Sequence, residues 1–183
     1  EVGNYTVTAT ATASGIATPA NFSLTNTSNM TWYVAITGND SNNCQSAGTP
    51  CLTINGAIAK TSNSDVIYIA SGTYTNVVLI NKNAALRGGW NSDFTAQNGS
   101  SIIDGQNSST PVTVSSSIIA YLQRFTLKNG YSLDGGGGIY NEGNLTLADS
   151  VVDNSAGRNA GGGIYQPDGS LNIKNTTISN NSA

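Results

Sequence analysis

The sequence predicts an all-β protein: a parallel β-helix (β-solenoid) over residues 31–183, preceded by a β-hairpin in residues 1–30. Three observations carry this prediction. A repeat of about 25 residues runs through the last third of the chain, the repeat unit has no room for a helix, and Thr, Ser, Asn and Gly replace most charged residues. Only 9% of residues are charged, against roughly 25% in an ordinary soluble domain.

The repeat is clearest near the C-terminus. Residues 161–165 repeat the sequence GGGIY of residues 136–140 at a spacing of 25, and the strand at 171–173 repeats that at 145–147 at a spacing of 26. Each unit therefore contains a short strand, a glycine-rich turn, a short alternating strand and an Asn turn. This period is typical of a three-sided β-solenoid, whose equivalent positions stack about 4.8 Å apart.

An Asn closes the last strand of three successive units: Asn129, Asn154 and Asn180. Asn tolerates the left-handed backbone that a sharp corner requires, and stacked amides can hydrogen-bond along the axis. We therefore predict a structural Asn ladder at one corner and not a catalytic role for these residues.

Upstream of the regular repeats, short hydrophobic runs bounded by turn residues predict further strands at 66–70, 77–80, 84–87, 101–103, 112–114, 118–122 and 124–127. One short helix is predicted at 53–60, because Thr53 can act as N-cap and Ile54, Ala57 and Ile58 fall on one face. Such a helix can cover the apolar core and strand edge of a first coil. We interpret residues 44–61 as this N-terminal cap.

Cys44 and Cys51 lie seven residues apart in a turn-rich loop, which favours a local disulfide over two free thiols. A zinc site would need four ligands, and the chain contains no His. A disulfide indicates an oxidising compartment, either the periplasm or the outside of the cell.

The first thirty residues have a different pattern. The alternation of Tyr5, Val7, Ala9 and Ala11 with Thr at positions 6, 8, 10 and 12 predicts a half-buried strand over residues 5–12. A second predicted strand contains Phe22 and Leu24. Two strands cannot bury a core alone. The hairpin therefore either packs on the β-helix or completes a sandwich with strands outside this sequence.

Charge and hydropathy argue against two classes of partner. The net charge is −3 and the seven basic residues are scattered. Binding the phosphate backbone of a nucleic acid needs a clustered basic stripe, so we expect no nucleic-acid partner. No apolar run approaches the roughly 18 residues of a membrane span. The chain opens on the polar Glu1 without a signal peptide, so we expect a mature or trimmed product.

Several segments together resemble a known class of protein. They are GTPCLTINGAIAK, DVIYIASGTY, LRGGW, IIDGQ and two GGGIY segments, each followed by an L-x-[LI] strand. They are similar to bacterial surface proteins with pectate-lyase-like, right-handed parallel β-helix repeats, related in style to polymorphic outer-membrane proteins. The likeness covers residues 31–183 and implies a right-handed helix at a bacterial surface. Residues 3–27 separately resemble the last two strands of a bacterial Ig-like module.

We expect a structural or adhesive component of a bacterial cell surface or extracellular filament, which self-associates through β-strand contacts. No helix, charged strand or Pro covers the predicted last coil, so its strand edges and apolar residues would face water. The expected contact residues are Tyr5, Val7, Ala9, Phe22 and Leu24 in the hairpin and Ile173 and Ile178 in the last coil. The alternative is that both ends continue into flanking modules of a longer chain.

A polysaccharide lyase is the competing prediction, since this fold also hosts such enzymes. Its best constellation is Asp149 and Asp153 with Arg124 and Lys128 on neighbouring coils, but no second carboxylate stacks on either Asp. We therefore expect no catalytic residues.

Calcium is a second candidate, because Asp40 and Asp134 lie in turns that could help to hold it. Neither Asp has the regular spacing of a calcium-binding β-roll. We therefore expect no cofactor and no metal site.

A non-catalytic glycan-binding module is a third prediction. Tyr140 and Tyr165 occupy equivalent positions, so they should stack on each other. We favour a position in the core or against a turn; if they instead face outward, they form an aromatic ladder for sugar rings or a protein partner. The other candidate stacking platforms are Trp32, Tyr33, Trp90, Tyr121 and Tyr131.

Overall fold

The computed structural model describes residues 4–9, 20–25 and 29–183 of the chain, with side chains from residue 29 onward. These residues form an all-β structure of mostly parallel strands in stacked sheets, with one helix. No helix in this part of the chain is long and apolar enough to cross a lipid bilayer.

The two strands predicted for residues 1–30 pair with each other. β1 (Asn4–Ala9) and β2 (Ala20–Thr25) are antiparallel, with Tyr5 opposite Leu24 and Val7 opposite Phe22. The predicted continuation of the first strand to residue 12 lies outside the described residues.

The remaining strands form three parallel sheets and a small parallel pair. Sheet A contains, from one edge to the other, β3 (Thr31–Val34), β4 (Asp65–Ala70), β7 (Ala84–Trp90), β10 (Ile119–Gln123), β14 (Asn144–Ala148) and β18 (Ser170–Lys174). Sheet B contains β5 (Thr73–Tyr74), β8 (Ser101–Asp104), β11 (Phe125–Lys128), β15 (Val151–Asp153) and β19 (Thr177–Ser179). Sheet C contains β6 (Val78–Ile80), β9 (Val112–Val114), β13 (Ile139–Asn141) and β17 (Ile164–Tyr165), and the small pair is β12 (Tyr131–Ser132) with β16 (Ala156–Gly157).

Neighbouring strands of a sheet come from successive coils, where a coil is the stretch from one strand of sheet A to the next. In sheet A, Leu122 lies in register between Leu86 and Leu147, and in sheet B Leu127 lies beside Val152. All five side chains are fully buried and belong to one continuous core. Parallel strands that stack at repeated positions around one core are compatible with a β-helix.

The predicted strands are present with small shifts in their ends, and one prediction needs correction. Arg124 was expected to begin a strand, but its φ of 59° places it in the left-handed region between β10 and β11. Asp149 and Asn175 have the same conformation, with φ of 49° and 45°, between sheets A and B of the next two coils. In these three coils a single left-handed residue therefore turns the chain from sheet A to sheet B.

The first coil is covered by α1 (Ile54–Lys60) and the segment before it. As predicted, Thr53 is the N-cap, since its hydroxyl accepts a hydrogen bond of 2.9 Å from the Gly56 N–H. The helix buries Ile54, Ala57 and Ile58 in the main core.

The strand edge of the first coil is covered as well. Cys44 and Cys51 form the predicted disulfide. Their segment pairs with the outer edge of β3, because the Tyr33 N–H donates to the Cys44 carbonyl and the Cys51 N–H to the Tyr33 carbonyl, each over 2.8 Å.

Candidate functional surfaces

The last described coil exposes the apolar layer that earlier coils bury. Ile173 and Ile178 are 42% and 45% exposed, whereas Leu147 and Val152, in register with them one coil earlier, are fully buried. The strands β17, β18 and β19 each pair on one side only within the described chain. Within the described residues, the last coil therefore presents unpaired backbone groups beside exposed hydrophobic side chains.

The hairpin supplies the other predicted self-association residues. Its two strands form a sheet of their own, so each strand has one edge without a pairing partner among the described residues. Tyr5, Val7 and Ala9 lie on β1 and Phe22 and Leu24 on β2.

The predicted Asn positions occupy one corner, but their side chains do not form a continuous ladder. Asn129, Asn154 and Asn180 have left-handed φ angles of 51°, 48° and 52°. The amide nitrogen of Asn154 donates to Oδ1 of Asn129 over 2.7 Å, whereas the amide of Asn180 donates to the Asp153 carboxylate over 2.8 Å. Asn129 and Asn154 are therefore joined by an amide–amide hydrogen bond, whereas Asn180 is bonded to a carboxylate in place of Asn154.

The four residues of the lyase constellation take part in separate contacts along the corners. The Asp149 carboxylate accepts hydrogen bonds from the side-chain amides of Gln123 and Asn175, and these bonds hold its pKa below the ordinary value. Asp153 accepts from the Ser179 hydroxyl and the Asn180 amide.

The two cations of this constellation do not join the carboxylates into a site. Lys128 Nζ lies 3.6 Å from an Asp104 carboxylate oxygen, and Asp104 also accepts from the Asn129 amide. Arg124 is the corner residue described above, and its charge adds to the lowering of the Asp149 pKa. Asp149, Asp153 and Lys128 therefore make their contacts between successive coils.

The two acids considered for calcium have different surroundings. Asp40 holds the N-cap residue of the helix, because one carboxylate oxygen accepts the N–H groups of Leu52 and Thr53 and the other accepts the Thr53 hydroxyl. Asp134 lies in the exposed turn after β12. Among the described residues no three acidic, Cys or His side chains cluster where they could hold a metal ion.

Tyr140 and Tyr165 lie in register on the outer face of sheet C, half-buried, with ring centroids 5.7 Å apart. The Tyr140 hydroxyl donates to Glu142 over 3.2 Å. Desolvation, followed by this bond to the Glu142 carboxylate, raises the pKa of Tyr140. The two rings therefore face outward, and the favoured position in the core is not the one observed.

A larger aromatic cluster covers the outer face of sheet A at its first strands. Tyr33 meets Tyr68 and Phe94 edge to face at 5.9 and 5.0 Å, and Trp90 stacks on Tyr68 at 4.2 Å. Trp32, which was also a candidate platform, points into the core, where its indole N–H donates to Asp65 over 2.9 Å.

This cluster depends on an excursion of the chain outside the sheet. Residues 91–100 leave β7 and fold back, with an isolated antiparallel bridge between Trp90 and Gln97. The left-handed backbone of Phe94 directs its ring onto Tyr33. Sequence inspection identified the rings of Tyr33 and Trp90 but missed Tyr68 and Phe94, because nothing local indicates where the excursion folds.

No family model, curated protein or solved structure matches this chain. The geometry of these surfaces is therefore the basis of the functional assignment.

Proposed function

We propose that the chain is a right-handed parallel β-helix that serves as a structural or adhesive component of a bacterial cell surface or extracellular filament. The observation that carries the proposal is the exposed apolar layer of the last described coil. Ile173 and Ile178 are exposed there beside strands that pair on one side only within the described chain, whereas the first coil has its core covered by α1 and its edge paired with the disulfide segment. A second copy or further coils of a longer chain would cover this layer.

We call the last described coil, with β17, β18 and β19, the open end. Its exposed isoleucines and its unpaired strand edges both favour association. Burying the exposed part of each isoleucine contributes about 1 kcal/mol. Unpaired strand edges recruit further strands, because their N–H and C=O groups accept a new neighbour without rearrangement. Association that joins unlike surfaces and does not close into a ring produces a filament.

The hairpin is the best donor of the added strand. The outer edge of β3 is already occupied by Cys44 and Cys51, so the open end of one copy cannot pair directly with the first coil of the next. β1 and β2 each keep a free edge within the described chain. Pairing between the hairpin of one copy and β18 or β19 of its neighbour is a strand-addition joint.

The composition supports a location outside the cytoplasm. The Cys44–Cys51 disulfide is stable under oxidising conditions. Only 9% of the residues are charged, so the surface is hydrated largely by hydroxyl and amide groups. These properties suit a passive surface element, and the likeness of residues 3–27 to an Ig-like module is consistent with it.

Sedimentation velocity over a range of protein concentrations tests the proposal. The wild-type chain should form species whose mass increases with concentration, and the double variant Ile173→Lys/Ile178→Lys should remain monomeric. Leu133→Lys is the control, since Leu133 is at least as exposed as the two isoleucines but lies in a turn outside the last coil.

The control variant should associate like the wild type. A wild-type chain that sediments as a monomer at every concentration contradicts the proposal, and so does equal association of the double variant.

A further inference from the structure

An apolar groove lies on the outer face of sheet A, at the N-terminal ends of β4, β7 and β10. We call it the sheet A groove; it has a volume of about 220 Å³ and is lined by Ser64, Asn83, Ala84, Ala85, Ile119 and Tyr121. Ala85 lies in register between Val66 and Tyr121, so its small methyl group leaves a depression between two larger side chains. Ile119 beside it is 62% exposed. Nothing in residues 29–183 therefore covers this apolar surface.

The hairpin of β1 and β2 has one apolar face. Alternate positions of a strand share a face, and the antiparallel register brings six such positions together: Tyr5, Val7, Ala9, Ala20, Phe22 and Leu24. The opposite face contains polar pairs, such as Thr6 with Ser23 and Thr8 with Asn21. A two-stranded hairpin is at best marginally stable in water unless its apolar face packs on another element. The hairpin therefore needs a surface that covers this face.

The connection between the hairpin and sheet A is short. Only residues 26–28 separate Thr25 from residue 29, and four extended residue steps span at most about 14 Å. Met30 is fixed beside β4, because its N–H donates to the Asp65 carboxylate and its carbonyl accepts the Val66 N–H, each over 2.9 Å.

The groove lies within reach of this attachment point. Neighbouring strands are about 4.8 Å apart, so Met30 is roughly 10 Å from β7 and roughly 14 Å from β10 across the sheet. The six-residue strands β1 and β2 are each about 20 Å long, which is enough to span the starts of β4, β7 and β10.

We infer that the apolar face of the β1–β2 hairpin docks on the sheet A groove of the same chain and covers Ile119. A short tether gives the attached segment an effective concentration in the millimolar range, so docking within one chain prevails over docking from a second copy in dilute solution. Docking uses a face of the hairpin and leaves the outer edges of β1 and β2 free. The inference therefore does not depend on the proposed strand addition.

Hydrogen exchange of the full chain, at concentrations where it is monomeric, tests the inference. The amides that pair β1 with β2 should be protected in the wild type. Ile119→Lys and Ala85→Lys should each speed their exchange about tenfold or more, because each variant places a charge against the apolar face of the hairpin. The amides of β14 should stay protected in both variants, which shows that sheet A remains intact.

Leu133→Lys is the control, because Leu133 is 51% exposed in the turn after β12 and lies outside the groove. It should leave exchange in β1 and β2 unchanged. Three results would overturn the inference: fast exchange of these strands in the wild-type monomer, protection that appears only as the concentration rises, or protection that neither groove variant reduces. Because the measurement is made on the monomer, its outcome is separate from that of the sedimentation experiment.

Discussion

The side-chain amide of Asn154 donates a hydrogen bond of 2.7 Å to Oδ1 of Asn129, one coil earlier, and both residues have a left-handed backbone. Asn is suited to this corner for two reasons: it tolerates positive φ, and its amide can bond along the stack. Substitutions at Asn154 can therefore separate the contribution of the left-handed backbone from the contribution of the side-chain hydrogen bond.

Asn154→Ala should lower the free energy of unfolding by about 2 kcal/mol, because it loses the hydrogen bond and forces an alanine into the left-handed region. Asn154→Gly keeps the backbone conformation accessible and should cost about 1 kcal/mol. Urea unfolding followed by circular dichroism measures both. A glycine variant less stable than the alanine variant would show that the left-handed backbone does not decide which residue suits this corner.

Removing the disulfide should destabilise the N-terminal cap. The double variant Cys44→Ser/Cys51→Ser should lose about 2–3 kcal/mol of unfolding free energy, the value expected for closing so short a loop. Reductant should have the same effect on the wild-type chain and none on the variant, which controls for the serine substitutions. Unchanged stability would mean that the pairing with β3 holds the segment without the covalent link.

The register of Leu147 with Ile173 provides a matched comparison between a buried and an open layer. Leu147→Ala should destabilise the monomer by about 2–5 kcal/mol, since Leu147 is fully buried. Ile173→Ala should cost clearly less, because the open end exposes 42% of that side chain. Unfolding at concentrations where the chain is monomeric gives both values. Equal costs would indicate that the last layer is covered.

Lowering the pH should destabilise the N-terminus of α1, because protonation of Asp40 weakens its hydrogen bonds to Leu52 and Thr53. Partial desolvation raises the pKa of this carboxyl, but the hydrogen bonds from Thr53 and Leu52 and the charge of Lys60 outweigh it, so the pKa is lowered from 3.8. A lowered pKa contributes stability above the unfolded value, and this contribution is lost as the pH falls through the folded value.

The experiment compares Asp40→Asn with the wild type. The variant should be less stable at neutral pH, and the gap should shrink as the pH falls below about 3.8, which is the reference value for Asp. Asp168→Asn is a control, because that carboxylate is exposed and, among the described residues, accepts only the adjacent Gly169 N–H. A gap that does not change with pH would contradict the assignment.

Local pattern predicted the repeated elements well. The spacing of 25 to 26 residues placed Leu145 on Leu171 and Val152 on Ile178, because hydrogen-bonded parallel strands keep equivalent residues in register. Thr53 and the apolar face behind it were sufficient to predict α1. These features depend on residues close in sequence or related by one period.

Features that depend on tertiary placement were missed. Arg87 and Tyr121 are 34 residues apart and meet because a long coil brings β7 beside β10. Likewise, Asn180 matched its predecessors in sequence, yet its amide bonds to Asp153, since the neighbouring carboxylate competes as acceptor. Which of several nearby polar groups accepts a hydrogen bond depends on the local three-dimensional geometry, and the sequence repeat does not specify it.

Hydrogen exchange of the strand amides in β18 and β19 is the most direct test of association through the open end. We predict fast exchange at 170–179 in dilute solution, because these strands pair on one side only, and protection at concentrations where larger species form. β14 should remain protected throughout, since it is paired on both sides. Larger species whose 170–179 amides exchange as fast as in the monomer would contradict association through this end.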